Sequence, residues 1–254
     1  MKIVAITQAR YGSSRLKAKV LKKINQETIL DIHIKRIKKS KLINEIVVAT
    51  TDEAESDLIV EIADRNKVLS YKGSVNDVLD RFYQASKIVK PDIIVRVTSD
   101  CPLIDANEID KVINVLLQTK CDYASNTMQP TLPDGMDAEV LTYSALEKAY
   151  NEATLKSDRE HVTPYIWRNS SFKGGNLFES QNIFNDKDYS NYRLTVDNEE
   201  DFLVIKKLVE VLGINCNWKE YVDFLDKNPT IKAINSGLKR NEGYQKSLIE
   251  DKKK

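Results

Sequence analysis

A loop that combines glycine, serine and basic side chains follows the first apolar segment of the chain. Residues 3–6 form an aliphatic run, which predicts a buried central strand. Beyond it, Gly12 lets a ligand approach the backbone, and the basic and hydroxyl side chains offer the donors that phosphate oxygens accept. The pattern favours a polyphosphate site, although a basic loop on the surface would carry the same charge. The loop is neither a P-loop nor a dinucleotide-binding motif, since G-x-x-x-x-G-K-[ST] and G-x-G-x-x-G are both absent. The donors of this loop are Arg10, Ser13, Ser14, Arg15, Lys17 and Lys19.

Two aspartates that follow apolar segments are candidate magnesium ligands. Asp100 comes just after residues 93–98, a predicted strand, and would face the phosphate-binding loop at the carboxyl edge of a sheet. Magnesium takes few carboxylates and completes its octahedron with phosphate oxygens and water. A turn-forming aspartate before Pro102 is the alternative for Asp100. Asp197, with Glu200 three residues later, also matches a capping pair at a helix start.

Three further polar groups have a structural and a functional interpretation side by side. His161 lies on a short predicted helix without partners at zinc-ligand spacing, which is more often a structural arrangement. The acidic turn at residues 134–139 could bind sugar hydroxyls or be merely a turn. Ser74 is the predicted N-cap of a helix with Asp77 at its third position, and it could face the same cleft. The absence of a G-x-S-x-G elbow argues against a hydrolytic triad.

Strands and helices alternate over the first half of the chain. This alternation predicts an α/β fold with a doubly wound, mostly parallel sheet and right-handed crossovers, in which ligands bind at the carboxyl ends of the strands. The predicted strands are residues 3–6, 45–50, 68–70, 93–98 and 122–124. The predicted helices are residues 28–37, 53–64, 75–89 and 107–117.

The alternation breaks after residue 124. Residues 125–192 carry turn signals and short β-like pieces, which predict a small inserted α+β lobe covering the sheet edge. Residues 192–196 are then expected to return to the main sheet as a strand, followed by helices over 198–212 and 218–225. We expect one domain over residues 1–236, and a polar C-terminal tail over residues 237–254 that frays.

Composition narrows the function classes. The 254 residues are 41% hydrophobic and 30% charged, with a formal net charge of +1, so nothing indicates bulk electrostatic binding to nucleic acid. Three widely spaced cysteines argue against a zinc site and against a disulfide framework. The first residues lack a signal-peptide pattern, and no apolar stretch approaches the roughly 18 residues of a membrane helix. We therefore expect a cytoplasmic protein without membrane contact.

Taken together, the motifs resemble those of a known enzyme family. The resemblance covers residues 2–212 and rests on residues 8–16, 77–81, 96–105, 122–127, 133–140, 159–165 and 192–197. Over these motifs the chain resembles the bacterial cytidylyltransferases that activate sugars and sugar acids as CMP conjugates, such as the CMP-Kdo and CMP-sialic acid synthetases. It looks closest to their SpsF-like branch of surface-polysaccharide synthesis.

The resemblance implies a nucleotidyltransferase fold of Rossmann-like or GT-A-like type, a homodimer in which the second lobe crosses to its partner, Mg²⁺, CTP and a small polar acceptor. It assigns catalysis to Arg15, Lys19 and Asp100, and metal binding to Asp100 and Asp197. The nucleotide-binding residues would be Gln8, Ala9, Arg10, Gly12, Ser13, Ser14, Arg15, Lys19, Ser74, Asp77, Asp80, Arg81, Thr98 and Ser99. The acceptor-binding residues would be Asn126, Asp134, Gly135, Asp137, Glu139, His161 and Tyr165.

One departure from the family pattern lies in the basic loop. The family usually has Pro-Gly-Lys after Arg-Leu, whereas this chain has Lys17, Ala18 and Lys19. Ala18 lacks the freedom of glycine at positive φ, while Lys19 keeps the family's lysine position. The implied reaction is attack of an acceptor oxygen on the α-phosphorus of CTP with loss of pyrophosphate. The alternatives are a different nucleoside triphosphate, a phosphonate or polyol phosphate acceptor, or a non-catalytic nucleotide-binding protein.

Overall fold

A seven-stranded sheet runs through the computed structural model, which describes residues 1–13 and 15–253. Its strand order is β5-β4-β1-β6-β8-β7-β9, and β2 and β3 form a separate two-stranded hairpin. The strands are β1 (Ile3–Gln8), β2 (Lys23–Ile24), β3 (Glu27–Thr28), β4 (Glu45–Thr51), β5 (Leu69–Gly73), β6 (Ile93–Thr98), β7 (Tyr123–Ser125), β8 (Glu139–Thr142) and β9 (Ser180–Asn182).

Helices cover both faces of the sheet. They are α1 (Ile29–Ile37), α2 (Asp57–Arg65), α3 (Val78–Val89), α4 (Ala106–Thr119), α5 (Tyr143–Glu152), α6 (Lys156–His161), α7 (Pro164–Arg168), α8 (Glu199–Leu212), α9 (Trp218–Lys227), α10 (Pro229–Ala233) and α11 (Glu242–Asp251). None of the helices in the described ranges has the length and apolarity needed to cross a membrane.

The predicted α/β sheet is confirmed, and β1 lies inside it. β1 pairs in parallel with β4 on one side and with β6 on the other, and β4 pairs in parallel with β5. Val4 and Ile6 pack with side chains of α3 and α5, while Ile3 and Ala5 pack with those of α4. An uninterrupted aliphatic run suits this position because both faces of a central parallel strand are buried.

The order of the strands reverses between β1 and β6. The chain moves outward from β1 to β4 and β5 and then returns to β6 on the other side of β1. Gln8, the last residue of β1, is in register with Thr98, the last residue of β6. The loops that follow these two strands therefore lie together at the carboxyl edge, which is where open α/β sheets bind ligands.

The segment from residue 125 to residue 192 contributes strands to the same sheet. β8 pairs antiparallel with β6 and β7, and β9 pairs in parallel with β7. The expectation of a returning strand at residues 192–196 is wrong. Arg193 makes an isolated bridge to Asp134, and Val196 donates its N–H to the Asp100 carbonyl, so these residues link loops and do not extend the sheet. The separate acceptor-binding and dimerisation lobe stays a prediction.

The expectation of a frayed tail over residues 237–254 is also wrong. Residues 242–251 form α11, which packs beside α6. Residues 235–251, hereafter the C-terminal arm, are held mainly by ion pairs and hydrogen bonds, as between Lys156 and Glu250. A sequence pattern does not reveal such an element because its apolar periodicity is weak and its partners are far away in the chain.

Candidate active site

The basic loop begins where β1 ends. The Ala9 N–H donates to the Ala49 carbonyl of β4 at 3.1 Å, which extends the β1–β4 pairing by one residue. The Ala18 N–H then donates to the Tyr11 carbonyl at 3.1 Å and closes the loop on itself. Arg10 and Gly12 are exposed at this edge. Ser14, a predicted nucleotide-binding residue, lies outside the described residues.

Ala18 adopts a left-handed conformation, with φ at 52° and ψ at 32°. It immediately precedes the short 3-10 turn Lys19–Leu21, whose Lys19 side chain points into the site. A side chain with a Cβ atom is strained in this region of φ, and glycine is not. The loop therefore keeps a backbone conformation that suits glycine, and alanine at this position adds strain.

Lys19 joins the two predicted metal ligands. Its Nζ lies 2.8 Å from Asp100 Oδ2 and 2.8 Å from Asp197 Oδ1, so the three charged groups form one cluster. Asp100 follows β6, and its carbonyl accepts hydrogen bonds from the Val196 N–H at 2.8 Å and the Thr195 hydroxyl at 3.1 Å. These bonds place Asp197 opposite Asp100 across the carboxyl edge of the sheet.

The charges of this cluster stabilise one another. Burial raises the pKa of Asp100, but the Lys19 ammonium and hydrogen bonds from Thr98 and Cys101 outweigh it and leave that pKa well below its usual range. Burial lowers the pKa of Lys19, but Asp100 and Asp197 outweigh it and raise that pKa above its ordinary value. Lys19 is therefore protonated and Asp100 ionised at neutral pH.

Asp197 does not cap α8, which was the alternative role that the sequence allowed for it. The N-cap of α8 is Asn198, whose N–H donates to Asp201 Oδ2 at 3.1 Å. The expected Asp197–Glu200 cap is thus wrong by one residue. Asp197 uses its side chain to contact Lys19 and Arg15, each at 2.8 Å.

Arg193 binds the oxygen of Asp197 that does not contact Lys19. This arginine is 6% exposed at its side chain and pairs with Asp134 at 2.7 Å, Asp201 at 2.8 Å and Asp197 at 3.1 Å. Burial lowers the pKa of Arg193, but the three carboxylates raise it beyond its ordinary value. Sequence reasoning missed this role, although Arg193 stands within the motif of residues 192–197.

His33 is a second residue without a predicted role. It is fully buried on α1, with Nε2 2.9 Å from the Thr7 hydroxyl and Nδ1 2.9 Å from the Cys101 carbonyl. Burial lowers the pKa of His33 to about 4, so its ring is neutral at pH 7. It ties β1 to the loop that carries Asp100.

The remaining predicted nucleotide-side residues lie around the same edge. Ser99 donates its hydroxyl to the Gln8 carbonyl at 2.6 Å, which ties the ends of β1 and β6 together, and the Thr98 hydroxyl lies 3.3 Å from Cys101 Sγ. Asp80 accepts a hydrogen bond from Gln84 at 3.1 Å on the surface of α3.

The N-terminus of α3 differs from the predicted one. The helix begins at Val78, and its N-cap is Asp77, which accepts the Asp80 N–H at 2.8 Å. Ser74 instead accepts the Asp77 N–H at 3.1 Å, so the prediction of Ser74 as N-cap is wrong by one turn. The other oxygen of Asp77 accepts two bonds from Arg159, at 2.9 and 2.7 Å.

Arg81 is a buried cation near the basic loop. It is 1% exposed, and its guanidinium donates to the Ser74 carbonyl at 2.9 Å. Its Nε finds no hydrogen-bond partner within the described part of the chain. Burial, followed by the charge of Arg10, lowers the pKa of Arg81 to about 10. Such an incompletely paired cation favours an anionic ligand.

Four of the predicted acceptor residues have internal partners. The Asn126 amide bonds the Met136 carbonyl at 2.7 Å and the Ala138 N–H at 2.9 Å. Gly135 has φ at 105°, and a Cβ there would lie 2.6 Å from the carbonyl carbon of Leu194, so glycine is required.

Glu139 and Tyr165 are the other two. Buried Glu139 accepts hydrogen bonds from Arg96, from Tyr123 at 2.5 Å and from Thr163 at 2.6 Å. The Tyr165 hydroxyl donates to Glu152 at 2.6 Å.

The other three predicted acceptor residues contact the C-terminal arm. Arg240 lies 3.8 Å from Asp134 and donates to Asp137. Burial and the neighbouring Asp137 raise the pKa of Asp134, against the effect of Arg240 and Arg193. His161 Nε2 lies 3.0 Å from the Ser247 hydroxyl, and burial lowers the pKa of His161 to about 4.

The cluster suits a divalent cation that also binds phosphate. Within residues 1–13 and 15–253, no group of three or more His, Cys, Asp or Glu side chains is arranged to hold a metal ion. Asp100 and Asp197 nevertheless bracket a single ammonium from two sides. Two carboxylates with ligand oxygens and water are the set that Mg²⁺ prefers at phosphate sites, so these residues fit it.

The comparisons with known proteins identify the family. A sequence profile described as "Cytidylyltransferase" matches residues 4–231. The chain belongs to the cytidylyltransferase family. Its expected membership and nucleotidyltransferase fold are therefore confirmed.

Similar proteins extend over nearly the whole chain. An uncharacterized protein of Methanocaldococcus jannaschii is 44% identical over 96% of this chain and 98% of its own length. The spore coat polysaccharide biosynthesis protein SpsF of Bacillus subtilis is 31% identical over 89% of this chain and 95% of its own length. The structure of a cytidylyltransferase from Leptospira borgpetersenii is 36% identical, covers 95% of this chain and 100% of its own, and has a TM-score of 0.86.

Proposed function

We propose that this cytidylyltransferase transfers the cytidylyl group of CTP to a sugar, a sugar acid or a related polar acceptor, giving a CMP conjugate and pyrophosphate. The observation that carries the proposal is the cluster of Lys19, Asp100 and Asp197 beside the basic loop after β1. Family membership supports the use of CTP, and the similarity to SpsF supports a place in polysaccharide synthesis.

The reaction asks the protein mainly to position groups and to neutralise charge. An acceptor oxygen forms a bond to the α-phosphorus of CTP, and the bond from that phosphorus to the bridging oxygen of pyrophosphate breaks. Arg15 and Lys19 would stabilise the negative charge that develops on the leaving pyrophosphate. Arg10 and Arg81 would bind the triphosphate, since both cations lie at the same edge of the sheet.

Asp100 and Asp197 would hold Mg²⁺. When bound, the ion supplies a Lewis acid and a template for the phosphate oxygens. Arg193 and Val196 keep the two carboxylates facing each other, through the ion pair to Asp197 and the hydrogen bond to the Asp100 carbonyl. Lys19 then becomes available to the phosphate oxygens beside them.

The acceptor would bind at the side of the site that carries the acidic turn and His161. Asp134 shares Arg193 with Asp197 of the cluster, and Asp134 and Asp137 both contact Arg240. Their carboxylates and the His161 ring are groups that bind hydroxyls. A homodimer, from the family resemblance, and a cytoplasmic location, from the sequence pattern, complete the proposal.

The first experiment measures Mg²⁺-dependent thermal stabilisation by CTP, UTP, GTP and ATP. A ligand at about one hundred times its Kd adds roughly 2.7 kcal/mol to the free energy of unfolding, which is easily seen as a melting shift. We expect CTP to give the largest shift, and Asp100→Asn to remove it. Asp223→Asn is the matched control, because Asp223 is exposed and pairs with Lys219 on α9.

Pyrophosphate release over a panel of sugars, sugar acids, polyol phosphates and phosphonates then identifies the acceptor. A larger shift with another nucleotide would replace CTP in the proposal. Nucleotide binding without pyrophosphate release over the whole panel would favour a non-catalytic nucleotide-binding protein. Activity retained by Asp100→Asn would remove Asp100 from the metal role.

A further inference from the structure

The C-terminal arm crosses the candidate site at three points. It contacts the nucleotide loop through Glu242, the acidic turn at residues 134–139 through Arg240, and His161 through Ser247. The arm lies beyond residue 231, where the match to the cytidylyltransferase family ends. The arm thus lies outside the region that the family profile matches, and it touches both predicted halves of the site.

Buried contacts fix the start of the arm. The Asn235 amide donates to Asp201 at 3.0 Å and to the Arg193 carbonyl at 3.2 Å. Arg240 is 17% exposed, donates to the Leu132 carbonyl at 3.2 Å and pairs with Asp137. This end of the arm stays in place when a single contact further along is lost.

Glu242 contacts the nucleotide loop through a more exposed ion pair. Its Oε2 lies 3.1 Å from a terminal nitrogen of Arg15, and the two side chains are 35% and 27% exposed. Arg15 also pairs with Asp197 at 2.8 Å. The carboxylate of Glu242 thus occupies a donor of Arg15 that the proposed function gives to the triphosphate.

We propose that the C-terminal arm regulates nucleotide binding, with Glu242 competing with the triphosphate of CTP for Arg15. This inference rests on the proposed function, because it needs Arg15 to bind phosphate. A triphosphate carries several negative charges and bonds the forked guanidinium more strongly than one partly exposed carboxylate. Nucleotide binding therefore releases Glu242 and loosens α11 from the site.

Release of α11 also affects the acceptor side. Tyr244 packs edge-on against the His161 ring with centroids 5.2 Å apart, and Ser247 lies 3.0 Å from His161 Nε2. Both residues lie on α11, beyond Glu242. Loosening the helix exposes His161, which is otherwise covered by the arm.

Two variants of the same helix separate competition from simple stabilisation. Glu242→Gln removes the charge that faces Arg15, and Glu250→Gln removes a charge that pairs with Lys156 outside the nucleotide loop. Calorimetric titration with Mg²⁺ and CTP should show a Kd that is roughly two- to five-fold lower in Glu242→Gln, the range expected for loss of an exposed ion pair. Glu250→Gln should bind CTP like the unmodified protein.

Hydrogen exchange supplies a second readout. Saturating CTP should speed amide exchange over residues 242–251 in the unmodified protein and change it little in Glu242→Gln. Equal or weaker CTP binding by Glu242→Gln, or slower exchange of α11 on CTP addition, would overturn the regulatory role.

Inorganic tripolyphosphate distinguishes the two proposals. Tighter tripolyphosphate binding by Glu242→Gln without any preference for CTP would support the arm's role and overturn the proposed nucleotide. If neither compound binds the folded protein, both proposals fall.

Discussion

The two halves of the candidate site are held by different forces. On the nucleotide side, the loops follow β1 and β6, two parallel strands paired along their whole length. On the acceptor side, the turn at residues 134–139, α6 and the C-terminal arm meet through side-chain ion pairs and hydrogen bonds. Backbone pairing fixes the ends of β1 and β6 on the first side, whereas the second side depends on side-chain contacts that single substitutions can change.

This difference fits the division of labour that we propose. The triphosphate and metal groups have to be held in one geometry, so a rigid frame suits them. An acceptor varies in shape, and a wall built from short elements can vary with it. Arg193 connects the halves, because it pairs with Asp134 on one side and Asp197 on the other.

The largest effect is expected from a substitution that removes Arg193, the residue that connects the two halves. Arg193→Met leaves Asp134, Asp197 and Asp201 without their buried cation, and it should lower the free energy of unfolding by about 3–5 kcal/mol. Urea denaturation measures the loss. Arg193→Lys keeps the positive charge without the forked guanidinium, and its free energy of unfolding should lie between those of the unmodified protein and Arg193→Met. A loss of less than about 1 kcal/mol in Arg193→Met would mean that the halves are held independently.

The next effect concerns the nucleotide side alone. Lys19→Gln should lower kcat/KM for pyrophosphate release on the order of 10²–10³-fold, as expected for loss of one donor to developing phosphate charge. Lys22→Gln is the control, because Lys22 pairs with exposed Glu199 outside the cluster. Similar losses in both variants would point to general loop damage and against a specific role of Lys19.

The pH dependence of stability tests buried His33, which links β1 to the loop that carries Asp100. The pKa of His33 is lowered from 6.5 to about 4, so the unfolded chain binds its proton first. Its contribution is complete above pH 6.5 and is lost as the pH falls from 6.5 to 4, by about 3 kcal/mol in all.

His33→Gln should flatten this part of the pH profile of the free energy of unfolding. His161→Gln, on the acceptor side, should flatten it less, because His161 is less completely buried. The expectation fails if the slope between pH 6.5 and 4 is the same with and without His33.

The smallest effect concerns the basic loop. Ala18→Gly relieves the strain of a left-handed residue and should raise the free energy of unfolding by up to about 1 kcal/mol, partly offset by the freedom that glycine adds to the unfolded chain. Ala54→Gly, at an exposed alanine with ordinary φ, should lower it by roughly 0.5–1 kcal/mol. Thermal melts of the two variants should shift in opposite directions.

Much of the fold could be predicted because its signals are local and repeated. The aliphatic runs of β1, β4 and β6 and the apolar stripes of α1 to α4 determine a parallel sheet covered on both faces. Sheet geometry then brings Asp100 to the same edge as the basic loop. The strand expected at residues 192–196 failed because Arg193 bonds into a loop, and an apolar run alone does not reveal the partner.

The sequence by itself determined the parallel strands β1, β4, β5 and β6, the helices between them, the basic loop and the two candidate aspartates, because each depends on neighbouring residues or on strand periodicity. Only the tertiary structure decided that Lys19 lies between Asp100 and Asp197, that Asn198 takes over the capping role, and that the C-terminal arm contacts the site. These arrangements depend on charged side chains far apart in the chain. Which of them pair depends on their positions in the folded chain, and no local sequence pattern indicates these positions.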